Sequence, residues 1–119
     1  MEAAKSHKNL IVWQRAITLV KETYRITQDF PSREIYGLAA QMRRAAVSIP
    51  SNISEGRNRG TAKDFSHFLR IAYGSAAELE TQLEISSQLD FISETEFDKI
   101  NSLLVEVSKM LRAMIRGLS

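Results

Sequence analysis

Apolar residues recur along this chain at alternating steps of three and four, the spacing that keeps one face of an α-helix apolar. The pattern predicts four helices: one over Leu10–Thr27, one over Arg33–Glu55, one opening at Thr61 and one following Ser93. The predicted core stripes are Leu10, Trp13, Ile17, Val20 and Tyr24 in the first helix; Leu38, Met42, Ala45, Ile49 and Ile53 in the second; Phe65, Leu69, Ala72, Ala76, Leu79 and Leu83 in the third; and Phe97, Ile100, Leu104, Val107, Leu111, Met114 and Leu118 in the fourth.

Turn and capping residues separate the four helices. Pro31 ends the first, and Ser32 is the predicted N-cap of the second. The run 56–60 closes the second helix with glycines suited to a left-handed C-cap. Thr61 opens the third helix, and the run 93–96 is a capping box for the fourth, with a Ser cap and Glu three residues later.

The helix count and the short connections predict an all-α fold, an antiparallel up-down-up-down four-helix bundle. Residues 1–119 form a single domain, of which we expect 1–8 to be flexible. Pro50 interrupts the second helix, but the apolar spacing passes through it, so we predict a continuous helix kinked there. A full stop at Pro50 is the alternative. Gly74 costs helix stability, and close helix packing is what we expect it to permit.

Polar residues form a second stripe beside the apolar ones on the two central helices. This polar seam is predicted to join helices or subunits and to fix their register. Its alternative is a solvated face without a partner. Arg44 and Glu78 are candidates for a charge pair across it, and Tyr36, Phe68 and Tyr73, which lie off the main stripes, are candidates for a subunit interface. The seam residues are Gln41, Arg44, Ser48, Asn52, Glu55, Glu78 and Gln82, with Ser75 beside them.

Composition excludes several classes of function. The 119 residues include no cysteine, so disulfides, thiolate metal sites and cysteine nucleophiles are absent. No signal core follows the N-terminal charges and no run approaches a membrane span, so we expect a cytoplasmic protein without membrane association. Residues 1–60 contain ten Lys/Arg and five Asp/Glu, whereas residues 61–119 contain six and nine. Such asymmetry is typical either of a polyanion-binding face or of helical pairs that attract each other.

The best candidate binding surface is the basic group that follows the second helix. Arg57, Arg59 and Lys63, with Arg43 near them, place guanidinium and ammonium groups on a glycine-containing loop beside a helix N-terminus. Such groups bind phosphate oxygens, so RNA or DNA is the expected ligand. The alternative is solvated surface, because no aromatic residue interleaves with these positions.

Catalysis finds little support in the sequence, and we predict a protein that is not an enzyme. His67 with the neighbouring basic residues could form a ribonuclease site, but an ordinary surface histidine is the favoured interpretation. A di-iron bundle would need Glu-x-x-His motifs, and the residue three before His67 is Asp64. No P-loop, dinucleotide fingerprint or zinc spacing occurs, so neither a metal nor another cofactor is expected.

Three runs of the chain resemble the four-helix-bundle proteins named for 23S rRNA intervening sequences. They are residues 10–16 (LIVWQRA), 41–56 (QMRRAAVSIPSNISEG) and 68–83 (FLRIAYGSAAELETQL), and the resemblance extends from about 7 to 117. It implies a four-helix protomer that assembles into closed rings, often pentamers. A related branch comprises the accessory proteins of diversity-generating retroelements, pentameric bundles that bind nucleic acid and a reverse transcriptase.

The leading functional hypothesis is therefore a non-catalytic homo-oligomer, a pentamer by resemblance, that binds nucleic acid through basic loops repeated around a ring. The alternative is an assembly or adaptor module whose partner is a protein. Salt-sensitive binding to generic RNA or DNA would distinguish them, because phosphate contacts release counterions.

Overall fold

A computed structural model describes residues 6–118 of the chain. These residues form four helices: α1 (Ile11–Thr27), α2 (Leu38–Arg57), α3 (Ala62–Gln88) and α4 (Glu94–Gly117). Single 3-10 turns at His7–Asn9 and Ser32–Glu34 precede α1 and α2. Each helix packs against two others, since α1 contacts α2 and α4, and α3 contacts the same pair. The all-α four-helix fold is confirmed.

The core contains the stripes predicted for α2, α3 and α4. All of Met42, Ala45, Ile49 and Ile53 of α2 are buried, as are the five positions from Leu69 to Leu83 on the α3 stripe. On α4 the buried residues are Ile100, Leu104, Val107, Leu111 and Ile115, with Phe97, Met114 and Leu118 packed at the edge. Three of the four amphipathic faces therefore follow directly from the spacing of apolar residues.

The predicted stripe of α1 lies at the edge of the core: Leu10, Trp13 and Val20 are partly buried against it, whereas Tyr24 is exposed. The face that enters the core is Val12, Ala16, Leu19, Thr23, Ile26 and Thr27, one position away from the expected one. The hydroxyl of Thr23 donates to the carbonyl oxygen of Leu19 at 2.8 Å, and that of Thr27 to the carbonyl of Thr23 at 2.7 Å. Because these bonds satisfy the hydroxyls, threonine enters the core without an unpaired polar group.

Two of the three capping predictions hold. Thr61 accepts from the backbone N–H of Asp64, and Ser93 from that of Glu96, each at 3.1 Å. The prediction that Ser32 caps α2 is wrong, because the chain makes a 3-10 turn there and α2 begins five residues after the predicted Arg33. The Glu34 carboxylate instead accepts from the N–H of Leu38 at 3.0 Å.

Pro50 lies inside α2, which continues to Arg57, so the alternative of a full stop there is wrong. A kink at Pro50 and the up-down-up-down order remain predictions. Side-chain contacts between helices agree with that order: the Ser86 hydroxyl donates to the Met42 sulfur at 3.3 Å, and Arg25 of α1 binds Glu96 of α4 at 2.8 Å.

Two glycines have roles different from those predicted. Gly74 does not serve close packing, because a Cβ added there would meet nothing within 4 Å. Close packing occurs at Gly56 instead, where a Cβ would lie 2.6 Å from the Cβ of Phe68 on α3. The left-handed conformation expected in this segment falls on Gly60, with φ of +92°.

The N-terminal prediction is only partly covered, since residues 1–5 lie outside the described part of the chain. From Ser6 onward the segment contacts the bundle, and the His7 ring lies edge-on to Trp13 with centroids 5.2 Å apart. Across residues 6–118, no helix combines the length and the apolar character needed to cross a membrane.

Candidate nucleic-acid interface and polar seam

Arg57, Arg59 and Lys63 lie together around the turn between α2 and α3. The Arg59 guanidinium sits 4.9 Å from the centre of the Phe68 ring, and that of Arg57 lies 5.9 Å from the centre of Phe65. Such cation–π contacts restrict the side chains without consuming their hydrogen-bond donors. The two phenylalanines, which the sequence did not link to the basic loop, therefore support its arginines.

An acidic neighbour offsets part of this charge. The Arg59 Nε lies 2.8 Å from the Glu55 carboxylate one helical turn earlier, and both side chains are about half exposed. An exposed pair of this kind is worth little and exchanges readily with another anion. Glu55, predicted as part of the polar seam, thus belongs to the basic loop instead.

Arg43 does not lie with the other three candidate residues. Its Nε donates to the Thr27 hydroxyl at 2.8 Å, and its guanidinium lies 4.8 Å from the centre of the Tyr24 ring. Arg43 therefore faces α1, toward the C-terminal end of that helix.

The whole end of the bundle around the α2–α3 turn is basic. A contact of 3.0 Å between Asn58 and the His7 ring brings the start of the described chain to this end. Lys109 and Arg112 line a pocket between α3 and α4 together with Tyr73 and one carboxylate, that of Glu80. We call this region the basic end; it carries Lys8, Arg15, Arg57, Arg59, Lys63, Arg70, Lys109, Arg112 and Arg116, against the acidic Glu55, Asp64 and Glu106.

The opposite end of the bundle is acidic. Within it, Arg25 joins α1 to α4 by binding Glu22 at 2.7 Å and Glu96 at 2.8 Å, and Lys99 lies 3.6 Å from Glu22. Hydrogen bonds from Arg25 hold the pKa of both carboxyls below their ordinary value. The acidic residues are Glu22, Asp29, Glu34, Glu78, Glu80, Glu84, Asp90, Glu94, Glu96 and Asp98, and the basic ones are Lys21, Arg25, Arg33, Arg43, Arg44 and Lys99. Charge is thus separated along the bundle axis.

The polar seam joins α2 and α3 at Ser48. Its hydroxyl lies 2.8 Å from that of Ser75, and the Asn52 amide donates to both the carbonyl and the hydroxyl of Ser48. These bonds connect two helices through polar groups that are partly buried.

The rest of the seam divides between core and solvent. Gln82 is buried and its amide approaches the Glu78 carboxylate at 3.4 Å, but over residues 6–118 its buried Oε1 has no hydrogen-bond partner. Gln41 and Arg44 are exposed. Among the ion pairs of the described residues, none joins Arg44 to Glu78.

An apolar groove on the outer face of α1 and α2 was not found from the sequence. Its lining comprises Tyr24, Ile35, Tyr36, Ala40 and Val47 with Arg43, Arg44 and Ser48, and its volume is about 660 Å³. Tyr36 is 96% exposed and so lies outside the protomer core, and its place in a subunit interface stays a prediction. The signal that could have found this groove is the adjacent pair Ile35 and Tyr36 ahead of α2, together with Tyr24 on α1, since none of the three is buried in the core.

Among the described residues, the geometry supports neither catalysis by His67 nor a metal site. The exposed His67 ring lies edge-on to Phe68, with centroids 5.0 Å apart. In the part of the chain that the structure describes, no three His, Cys, Asp or Glu side chains are grouped so as to hold a metal ion.

Comparison with known proteins assigns the chain to a family. Residues 8–113 match the family described as 23S rRNA-intervening sequence protein. The chain belongs to this family. The match includes α1, α2 and α3 entirely and most of α4, so the basic loop, the polar seam and the apolar groove all lie on family sequence.

A solved structure shows the fold of a similar chain. It is the crystal structure of a protein of unknown function from the S23 ribosomal protein family of Bacteroides thetaiotaomicron, with a TM-score of 0.80 and 24% sequence identity. The alignment covers 88% of the present chain and 98% of the other. A search of curated proteins found no match.

Proposed function

We propose that this protein is a non-catalytic, homo-oligomeric helical bundle that binds nucleic acid electrostatically through its basic end. The observation that carries the proposal is the separation of charge along the bundle, which collects basic side chains from all four helices and the α2–α3 turn at one end. A phosphate backbone approaching that end meets few carboxylates, whereas the other end repels it.

The α2–α3 turn supplies the most direct phosphate contacts. Arg59 and Lys63 are exposed, and Arg57 and Arg59 lie over aromatic rings that limit their motion. Restricted guanidinium groups lose less side-chain freedom when they bind. Phosphate can displace the exposed Glu55 carboxylate from Arg59, because such surface pairs contribute little.

Assembly would repeat this end in every protomer. Self-association, as a pentamer by family resemblance, multiplies the phosphate contacts available to one nucleic-acid strand and raises avidity without any new type of contact. Neither base recognition nor catalysis is part of the proposal, so binding is expected to be general and strongly dependent on salt.

The test is fluorescence anisotropy with labelled RNA and DNA, single-stranded and duplex, at several salt concentrations. The variant Arg59→Gln/Lys63→Gln removes two charges from the basic end. At about 0.1 M salt, each lost contact to duplex phosphate should weaken binding on the order of tenfold, and the slope of log affinity against log salt should become shallower.

The matched control is Lys21→Gln/Lys99→Gln, which removes the same charge at the acidic end. Both lysines are exposed on α1 and α4. The control should bind as wild type does. Equal losses in both variants, or wild-type binding by the basic-end variant, would show that net charge or another surface governs the interaction.

A protein-binding adaptor is the second candidate, and the exposed apolar groove on α1 and α2 favours it. This function predicts no salt-dependent binding of any nucleic acid at the concentrations tested. The anisotropy experiment therefore separates the two candidates.

A further inference from the structure

Two grooves on different faces of the bundle have complementary character. Among residues 6–118, two cations, Arg43 and Arg44, and no carboxylate line the apolar groove between α1 and α2. The second groove, between α3 and α4, has a volume of about 420 Å³ and is lined by Glu80, Thr81, Glu84, Ile85, Gln88, Phe97 and Asn101. We call it the acidic groove, because both charged residues that line it in the described part of the chain are glutamates.

We propose that the apolar groove of one protomer receives the acidic groove of a second copy of the same chain. This inference rests on the self-association proposed above and specifies the surfaces that form it. Arg44 of one protomer would pair with Glu80 and Glu84 of the next, while the exposed Ile85 would pack against Tyr36 and Ile35.

The apolar groove exposes more apolar surface than isolated surface residues explain. Tyr36 is 96% exposed, Ile35 50%, Tyr24 44% and Val47 39%, and all four border one depression. Contiguous apolar surface with a polar rim is characteristic of protein interfaces. The partly exposed Trp13, Ile17 and Val20 of α1 extend the same face along the bundle, in a smaller pocket of about 300 Å³ that also contains Val47.

The charges favour a second copy as the occupant. Arg44 is exposed beside the apolar groove, and the residues 6–118 give it no carboxylate partner within the protomer. The acidic groove offers carboxylates together with the apolar side chain of Ile85, which is 42% exposed. Nucleic acid fits the pair of surfaces less well, because phosphate would be repelled from the adjoining acidic end.

Both grooves lie at the same level along the bundle. Contacts between Met42 and Ser86 and between Arg25 and Glu96 place both grooves in the half of the bundle that contains the acidic end, and the apolar groove reaches the middle at Ser48, which contacts Ser75. A head-to-tail contact joins two different surfaces, and it closes into a ring when successive copies are related by rotation without translation. When the bundle axes lie parallel to the rotation axis, such closure requires the two grooves to lie at the same height.

The test is a charge swap followed by light-scattering mass without nucleic acid. Arg44→Glu and Glu84→Arg should each reduce the mass from a multiple of the 13.5 kDa protomer toward a single protomer. The double variant Arg44→Glu/Glu84→Arg should regain the multimeric mass, because it restores attraction with reversed signs. The control Lys21→Glu/Asp98→Arg changes exposed charges outside both grooves and should keep the wild-type mass.

A charge-neutral variant distinguishes a loss of assembly from a loss of folding. Tyr36 is almost fully exposed in the protomer, so Tyr36→Ser should leave the helical circular dichroism unchanged while lowering the mass. Single-charge variants that keep the multimeric mass, or a double variant that remains at protomer mass, would overturn the interface alone. Wild-type protein of protomer mass would overturn self-association as well, whereas nucleic-acid binding is judged separately by anisotropy.

Discussion

Replacement of Gly56 by alanine should destabilise the bundle, although alanine is the better helix former. A Cβ at this position would lie 2.6 Å from the Cβ of Phe68 and 3.3 Å from both the ring and the carbonyl oxygen of Phe65. The Phe68 Cβ is fixed to the α3 backbone, so no rotamer change relieves the contact and the helices must separate. Overpacking costs about 1–3 kcal/mol, whereas the gain in helix propensity is about 1 kcal/mol.

Gly74 provides the matched control. It lies in the interior of α3, and an added Cβ would meet nothing within 4 Å. Gly74→Ala should therefore raise the free energy of unfolding by about 1 kcal/mol. Gly56→Ala should lower it by up to about 2 kcal/mol, because the propensity gain of about 1 kcal/mol offsets part of the overpacking cost of about 1–3 kcal/mol.

Urea unfolding followed by circular dichroism at a fixed protein concentration measures both changes, since assembly makes apparent stability depend on concentration. The two variants add the same methyl group to a helical glycine, so propensity alone would shift both midpoints upward. A Gly56→Ala protein as stable as Gly74→Ala would refute the assignment of close packing to Gly56.

Two further predictions concern polar groups. The pKa values of Glu22 and Glu96 are lowered by hydrogen bonds from Arg25. The stabilisation of the fold by these contacts is therefore complete when the pH is above the ordinary carboxyl pKa of 4.5, and it is lost as the pH falls through the lowered pKa values. The melting temperature of the wild type should exceed that of Arg25→Gln at pH 6, and the two should be equal at acid pH. A difference in melting temperature that does not change with pH would contradict this prediction. Gln82→Leu should raise the free energy of unfolding by about 1 kcal/mol, because it removes a buried unpaired oxygen, and urea unfolding that shows a loss would assign that oxygen a partner.

The sequence predicted those helices whose core residues are large and regularly spaced. On α2, α3 and α4 the apolar stripe and the buried face coincide. On α1 they differ, since Thr23 and Thr27 enter the core by donating to their own helix while the larger Trp13 and Val20 are only partly buried at its edge. The spacing of large apolar residues does not predict which of two adjacent helix faces is buried when one face contains threonines whose hydroxyls donate to the backbone of their own helix.

The candidate site was only partly accessible from the sequence for a different reason. Arg57, Arg59 and Lys63 are close in the chain and remain close in space. The basic end also draws on residues near both termini, and the division of charge between the sequence halves does not show the separation along the axis. Such a surface depends on which helix ends lie side by side, and this is determined by the packing of the helices, which the sequence pattern does not show.

The two proposed surfaces make a joint prediction about binding. The grooves lie on the sides of the bundle near its acidic end, so head-to-tail assembly through them would leave every basic end on the same rim of a ring. A long nucleic acid could then contact several protomers at once, whereas a short one reaches a single basic end. Tyr36→Ser changes no charge, so it should weaken binding of long strands and make their salt dependence shallower, with little effect on an oligonucleotide of a few residues. Anisotropy with strands of increasing length measures this difference, and equal affinity of wild type and variant for long strands would show that the groove does not gather the basic ends.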